Sequence, residues 1–294
     1  GMPSRVAEAY WKAAKLYNRR GEYAKAADNF EQASKNYQLV AEKIPQFKCF
    51  YEDHKSYMQA WSEFEKAKLA HQKAQYEESK THYEDAAKLL KSTKRWSYLA
   101  PNFTAWATLE QAEDLSKKDK SEEARQVFQL AAHQFTEAKA SLEEETRKIE
   151  NADEKANAVE LSEASEHREE YCLARAELEE ATIYDKRGDH AASAKKYAAV
   201  ADRFEKIAEK LKDESDRNEI LFHASLCRAL EKMELAEEKA EPDLYKEASE
   251  LFTRTQKITT KKRNAILALG NACFCKALES GTCLLYTSDA ADEE

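Results

Sequence analysis

Glycine and proline are scarce in this sequence, and their scarcity limits the folds it can adopt more than any other feature. The 294 residues include five glycines and four prolines, about a quarter of the usual share of roughly 12%. Sheets and Rossmann-type folds need many more turn residues. Between the few that are present run long stretches of Ala, Glu, Lys, Leu, Arg and Gln, with apolar residues three and four positions apart. The sequence therefore predicts an all-α fold.

The same pattern predicts about eleven helices joined by short connectors. They fall near residues 5–19, 22–43, 47–73, 76–92, 101–118, 121–149, 153–187, 190–212, 215–239, 242–258 and 260–280. No stretch alternates at period two for long enough to indicate a strand. Helices with such short connectors are expected to pack as consecutive antiparallel hairpins.

The last twelve residues, Cys283 to Glu294, depart from this pattern. They reverse-translate into a string that resembles a transposase-type sequencing adapter, so we predict a non-native tail and leave it out of the fold reasoning. This interpretation also predicts that residues 1–282 form a single helical-repeat domain, that the natural chain continues beyond Thr282, and that the gene comes from shotgun-sequenced metagenomic DNA. The alternative is a genuine acidic tail.

Charge and hydropathy argue against two classes of partner. Without the four acids of the tail, the formal charge of −9 becomes −5, a mild and mixed balance that does not favour nucleic-acid binding. The most apolar predicted helix, at 265–278, contains Asn271 and Lys276 and is too short to span a bilayer. We therefore expect no nucleic-acid partner, no membrane insertion and, because no signal-peptide pattern is visible, a cytoplasmic location.

No motif for catalysis, for a cofactor or for a metal is visible. The glycines are too scattered for a phosphate-binding loop, and the seven histidines form no H-E-x-x-H pair. The cysteines outside the tail are odd in number and scattered, which supports neither a disulfide framework nor a zinc site. Carboxylates are so abundant that no single pair stands out as catalytic. We predict a non-enzyme with no cofactor and no metal site.

One spacing recurs along the chain. Counted from a small turn residue, a small side chain follows at position +5, an aromatic one at +9 and a small one at +12. A small +5 residue lets the two helices of a hairpin approach closely, and the aromatic residue fills the gap to the next hairpin. The spacing occurs at Gly21 (Ala26, Phe30, Ala33), at Ala74 (Ser79, Tyr83, Ala86) and at Gly188 (Ser193, Tyr197, Val200), and its helical half returns at Ala124, Phe128 and Ala131 and at Ala248 and Phe252.

This spacing resembles the tetratricopeptide repeat (TPR) superfamily over five repeats, from residue 5 to about residue 258. The first repeat is the most similar, with Tyr10, Ala13, Ala14 and Tyr17 in its first helix. Successive +5 positions are 45 to 69 residues apart, against about 34 in the family, so this is a long-helix variant. The resemblance implies an α-solenoid of antiparallel TPR-like hairpins in a right-handed superhelix. It also implies a non-catalytic scaffold or adaptor that binds proteins.

The resemblance also indicates a binding face. In TPR arrays the first helix of each repeat lines a concave groove. Aromatic and basic residues there would suit an apolar peptide bearing a carboxylate, or a partner helix. The alternative is that, in helices this long, the same side chains pack against a further layer of core. Transferring the repeat frame places six candidate residues on this face: Trp11, Lys15, Trp61, Phe64, Lys68 and Trp106.

Two other functions stay open at the level of sequence. The chain could be a structural repeat protein whose terminal hairpin stacks on a second copy, or it could be the regulatory arm of a longer protein. The sequence does not decide the oligomeric state.

Overall fold

The fold is described from a computed structural model, which covers the backbone of residues 2–292 and the side chains of residues 3–283. Positions 293 and 294 of the predicted tail therefore lie outside the described residues. The chain divides into two compact parts, residues 1–172 and residues 173–294. We call them the N-terminal part and the C-terminal part and describe each by itself.

The described residues form eleven α-helices, two short 3-10 turns and no strand, which confirms the predicted all-α class. The helices are α1 (Met2–Arg19), α2 (Tyr23–Lys43), α3 (Lys48–Gln72), α4 (Tyr76–Lys91), α5 (Ala100–Lys117), α6 (Ser121–Thr146), α7 (Ala152–Lys186), α8 (His190–Lys210), α9 (Glu214–Lys239), α10 (Pro242–Thr255) and α11 (Lys262–Asp292). The division between the two parts falls within α7.

Helices that follow one another in sequence pack against one another. In the N-terminal part each of α1 to α5 packs on the next helix, and in the C-terminal part each of α8 to α10 does the same. Local sequence signals determine where several of the helices begin. Pro101 and Pro242 lie in the first turns of α5 and α10, where a missing N–H costs nothing. The Asp189 carboxylate caps α8 by accepting from the backbone N–H of Ala192 at 3.1 Å.

The turn residues of the first four repeats share one backbone conformation. Each has a positive φ of 55° to 74°. In each turn the following residue donates its N–H to the carbonyl five positions back at 3.0 Å, which closes the helix end as in a Schellman motif. These turn residues are Gly21, Ala74, Asp119 and Gly188. The fifth repeat differs, because its left-handed residue is Ala240, with Pro242 two positions later.

The predicted packing positions are buried in all five repeats, and so is Thr255, which occupies +12 of the fifth repeat. Two of the +5 residues are serines that bridge the helices of their hairpin. Ser79 Oγ donates to the carbonyl of Ala67 at 2.9 Å, and Ser193 Oγ donates to that of Ala181 at 3.1 Å. The two bonds occupy equivalent positions, so the sequence spacing corresponds to a structural repeat. The buried residues at +5, +9 and +12 are Ala26, Phe30 and Ala33; Ser79, Tyr83 and Ala86; Ala124, Phe128 and Ala131; Ser193, Tyr197 and Val200; and Ala248, Phe252 and Thr255.

Replacing Ala74 by glycine should stabilise the protein. Ala74 has a φ of 55°, and relief of this left-handed strain should outweigh the entropy that glycine adds to the unfolded chain, leaving a gain of about 0.5–1 kcal/mol. Urea denaturation followed by far-ultraviolet circular dichroism measures the change. The matched control is Ala199→Gly at an exposed position inside α8, which should lose about 1 kcal/mol. A loss of equal size for both variants would contradict the strain argument.

Candidate functional site

The six predicted binding residues lie on three helices of the N-terminal part. Trp11 and Lys15 are on α1, Trp61, Phe64 and Lys68 are on α3, and Trp106 is on α5. In the repeat frame Trp11 and Phe64 occupy the same position, ten residues before their turn residue. Lys15 and Lys68 are likewise equivalent, four residues further on.

A continuous series of ring contacts connects the aromatic members of this set. Trp11 meets Tyr57 edge-on at 5.9 Å between centroids, and Tyr57 meets Trp61 at 6.0 Å. Trp61 then contacts Phe64 at 5.1 Å. The series continues through Tyr83, which lies 5.8 Å from Phe64 and stacks on Trp106 at 5.5 Å. The structure therefore brings all four predicted aromatic residues into one cluster across α1, α3, α4 and α5.

These aromatic side chains are half-buried and also pack against the core. Trp61 is the most enclosed by aromatic neighbours, since it contacts Phe30 on α2 and Phe103 on α5 in addition to its neighbours on α3. Trp11, Trp61, Phe64 and Trp106 all pack against the main hydrophobic cluster of the N-terminal part. Each of these rings therefore contributes part of its surface to core packing.

Cations lie over three of these rings. Lys15 Nζ is 5.0 Å from the centroid of Trp11, and Lys68 Nζ is 4.7 Å from that of Phe64. The guanidinium of Arg168, on α7, is 4.7 Å from the centroid of Trp106. Contacts of this kind hold a cation beside an apolar surface and stabilise it by about 0.5–1 kcal/mol where it is exposed.

Buried glutamates form a second repeated feature beside these rings. Glu65 accepts a hydrogen bond from the Asn18 side-chain amide and pairs with Lys68 Nζ at 3.0 Å. Glu110 accepts from His71 Nδ1 at 2.8 Å. Burial raises the pKa of the Glu65 carboxyl, and the Lys68 ammonium opposes that rise. These acids are not among the residues predicted from the sequence, because carboxylates are so abundant in it that no single one stands out.

We call this arrangement the polar node. It comprises the residues at −3 and +2 of one repeat and the residue fourteen positions before the +5 residue of the next. The first two nodes are Asn18–Tyr23–Glu65 and His71–Tyr76–Glu110, and the node in the C-terminal part is Asp185–His190–Glu234. The repeat frame contains the signal that could have found them, since the same three positions carry polar or aromatic groups in each case.

The node of the C-terminal part consists entirely of titratable groups. His190 Nδ1 lies 3.0 Å from Glu234 Oε2. One donor atom from each of Asp185, His190 and Glu234 lies within 4.8 Å of the others, and among the described residues this is the group that could hold a metal ion. Burial, with a contribution from the Asp185 carboxylate, raises the pKa of Glu234 to about 7, while the hydrogen bond with His190 acts in the opposite direction.

The thiols divide evenly by exposure. Cys172, Cys227 and Cys275 are buried, and Cys49, Cys273 and Cys283 are exposed. Burial raises the pKa of the Cys227 thiol to about 12 and that of Cys275 to about 11, which makes both unreactive as nucleophiles.

One groove of the N-terminal part does not coincide with the predicted face. It has a volume of ≈ 580 Å³, lies among α2, α3 and α4, and is lined almost entirely by polar side chains. None of the six predicted residues lines it. The aromatic cluster is a half-buried surface with cations over three of its rings.

Comparisons with protein-family models, with curated proteins and with solved structures gave no match. In the part of the chain that the structure describes, no helix combines the length and the apolar character that a membrane span requires.

Proposed function

We propose that this protein is a non-catalytic scaffold that binds an extended peptide or a partner helix along α1, α3 and α5. The observation that carries the proposal is the recurrence of one pair of residues. Trp11 with Lys15 and Phe64 with Lys68 occupy equivalent positions, and in both pairs the ammonium lies over the ring. A surface that repeats in register with the helices suits a ligand that is itself extended.

The sequential packing of the helices supports a TPR-like arrangement for this scaffold. We propose that the helices form antiparallel hairpins in a right-handed solenoid, with α1, α3 and α5 lining its concave face. Cytoplasmic function and the lack of enzymatic activity belong to the same proposal. The left-handed turns and the buried +5 and +9 residues support it, because they recur at each of the first four hairpins.

The chemistry of the face points to a ligand with apolar side chains and a carboxylate. Lys15 is exposed and, within the described residues, forms no ion pair with an acid. A ligand carboxylate that reaches Lys15 would form a charge-assisted hydrogen bond at the edge of an apolar surface, an interaction of about 1.5–3 kcal/mol. Trp11 and Phe64 would supply the adjoining apolar contact.

Peptide selection tests this proposal. Random peptides displayed on phage are selected against the immobilised full chain, and the enriched peptides are synthesised. We expect them to combine apolar residues with an acid and to bind the Lys15→Glu variant at least ~tenfold more weakly, a difference of about 1.4 kcal/mol. Fluorescence anisotropy of labelled peptides gives the dissociation constants.

Lys195→Glu is the matched control, because Lys195 is an exposed lysine on α8 and the charge change is identical. It should leave peptide affinity unchanged. Enriched peptides that bind both variants equally well would place the binding surface elsewhere, and a selection that enriches no peptide would count against the scaffold function itself.

One observation favours self-association as a second candidate function. The side of α11 that faces away from α10 is apolar and exposed. Gly270 lies among these apolar residues, and a Cβ added there would have no other atom within 4 Å. A second copy fits this surface, because antiparallel pairing would bring Lys262 and Arg263 of each helix towards Glu279 of the other. A concentration-dependent dimer that Phe274→Lys abolishes would favour this candidate, and a monomer at all concentrations would favour the scaffold. The exposed apolar residues are Ile266, Leu267, Leu269 and Phe274.

A further inference from the structure

We propose that Asp185, His190 and Glu234 form a binding site for a divalent transition-metal ion of the zinc class. The three side chains come from different helices of the C-terminal part. Asp185 lies in the last turn of α7, His190 is the first residue of α8, and Glu234 lies on α9. An ion bound there would connect the three helices.

The donor atoms are already close to the separation that a metal needs. One donor from each side chain lies within 4.8 Å of the other two, and His190 Nδ1 is 3.0 Å from Glu234 Oε2. Ligand atoms about 2.0–2.2 Å from a tetrahedral zinc ion are roughly 3.5 Å apart. Small side-chain rotations therefore suffice to form the site, without movement of the backbone.

Glu234 supplies an independent indication that a ligand belongs here. Its side chain is 1% exposed, and its Oε1 atom is buried without a hydrogen-bond donor. A buried carboxylate oxygen without a partner is costly because of the lost solvation. Glu110 Oε2 at the second node is in the same state, but only Glu234 has two further metal-ligating side chains within reach among the described residues. Neither Asp185 nor Glu234 forms an ion pair with a lysine or arginine among the described residues, so His190 is the one cation-forming group at the node.

The other polar nodes show what is special about this one. At the first node Lys68 pairs with the buried Glu65, and position +2 holds Tyr23. At the second node His71 contacts Glu110, and position +2 holds Tyr76. A neutral or aromatic residue is therefore sufficient for packing at these positions. The node of the C-terminal part instead has a metal-ligating side chain at all three positions.

The ligand set selects the class of ion. One imidazole nitrogen and two carboxylate oxygens suit Zn²⁺, Co²⁺ and related borderline ions, whereas Mg²⁺ and Ca²⁺ prefer more oxygen ligands. Asp185 and His190 are half-exposed, so water can reach the ion and complete its coordination. Binding to the folded state alone would stabilise the C-terminal part in proportion to metal concentration.

Calorimetric titration with ZnCl₂ tests the site. The full chain is used without an affinity tag, freed of metal with a chelator, and its exposed cysteines are blocked with N-ethylmaleimide so that thiolates do not compete. We expect one Zn²⁺ per chain, binding at least ~100-fold weaker in Asp185→Asn and in His190→Gln, and no heat with MgCl₂.

The second polar node provides the matched control. His71→Gln removes a histidine with the same contact to a buried glutamate, and it should leave Zn²⁺ affinity unchanged. Absence of Zn²⁺ binding, or binding that both site variants retain, would overturn the proposal. Should the variants fail to fold, the unaltered chain gives the answer: Zn²⁺ should protect His190, but not His71, from diethyl pyrocarbonate, and equal modification with and without Zn²⁺ would exclude His190 as a ligand.

Discussion

Replacing Trp61 by alanine should lower the free energy of unfolding by about 3 kcal/mol. The indole contacts Phe30 on α2, Phe64 on α3 and Phe103 on α5, so its loss would leave a cavity where three helices meet. Urea denaturation followed by far-ultraviolet circular dichroism measures the change. Trp61→Phe, which keeps a ring in place, should cost about 1 kcal/mol.

Trp11→Ala is the informative comparison, because it separates the binding face from the core. Trp11 has one ring neighbour, Tyr57, and the Lys15 ammonium, so we expect a loss of about 1 kcal/mol. Under this reading Trp61 supports the binding face from beneath, while Trp11 contacts the ligand. A Trp61→Ala variant that keeps its full stability but loses the selected peptides would instead make Trp61 a contact residue.

Replacing Ser193 by leucine should cost about 2–4 kcal/mol, because it adds overpacking to a lost hydrogen bond. Ser193 is fully buried at the +5 position of α8, and its hydroxyl donates to the Ala181 carbonyl at 3.1 Å. A larger side chain would force α7 and α8 apart. Thermal and urea unfolding of the purified variant measure the loss.

Ser193→Ala separates the two contributions, since it removes the hydrogen bond without adding volume. It should cost about 1 kcal/mol. Ser79→Leu makes the same substitution at the equivalent position of α4 and should reproduce the larger loss. If alanine proved as damaging as leucine, close helix approach would not be the reason for small residues at +5.

Helix positions could be predicted from the sequence because their boundaries depend on local chemistry. The helix predicted at 22–43 forms as Tyr23–Lys43, and that at 190–212 forms as His190–Lys210. Gly21 and Gly188 end the preceding helices by adopting a left-handed φ that the chain needs there. The predicted 121–149 ends earlier, at Thr146, whose hydroxyl donates to the Leu142 carbonyl at 2.7 Å.

The repeat frame marks the positions of the polar nodes, but their hydrogen bonds could not be predicted, because these depend on how helices that are distant in sequence pack against one another. His190 and Glu234 are separated by 44 positions, and no local rule relates them. His71 likewise forms a half-buried hydrogen bond with Glu110, which is 39 positions away. The six aromatic and basic residues were assigned to helix positions by the repeat frame, but their contacts with the core follow from packing alone.

The polar nodes make the two ends of the repeat array unequal in their effect on stability. Each buried glutamate of the first two nodes belongs to one repeat, and its hydrogen-bond donor belongs to the repeat before it. Removing α1 and α2 would deprive Glu65 of its amide partner and leave it only the Lys68 ammonium of its own repeat, a loss of about 1 kcal/mol. Removing the repeat that follows would only return an amide or imidazole to water. Deleting repeats from the amino end should therefore lower the free energy of unfolding of the remaining repeats more than deleting them from the carboxyl end. Each repeat should thus stabilise the one that follows it.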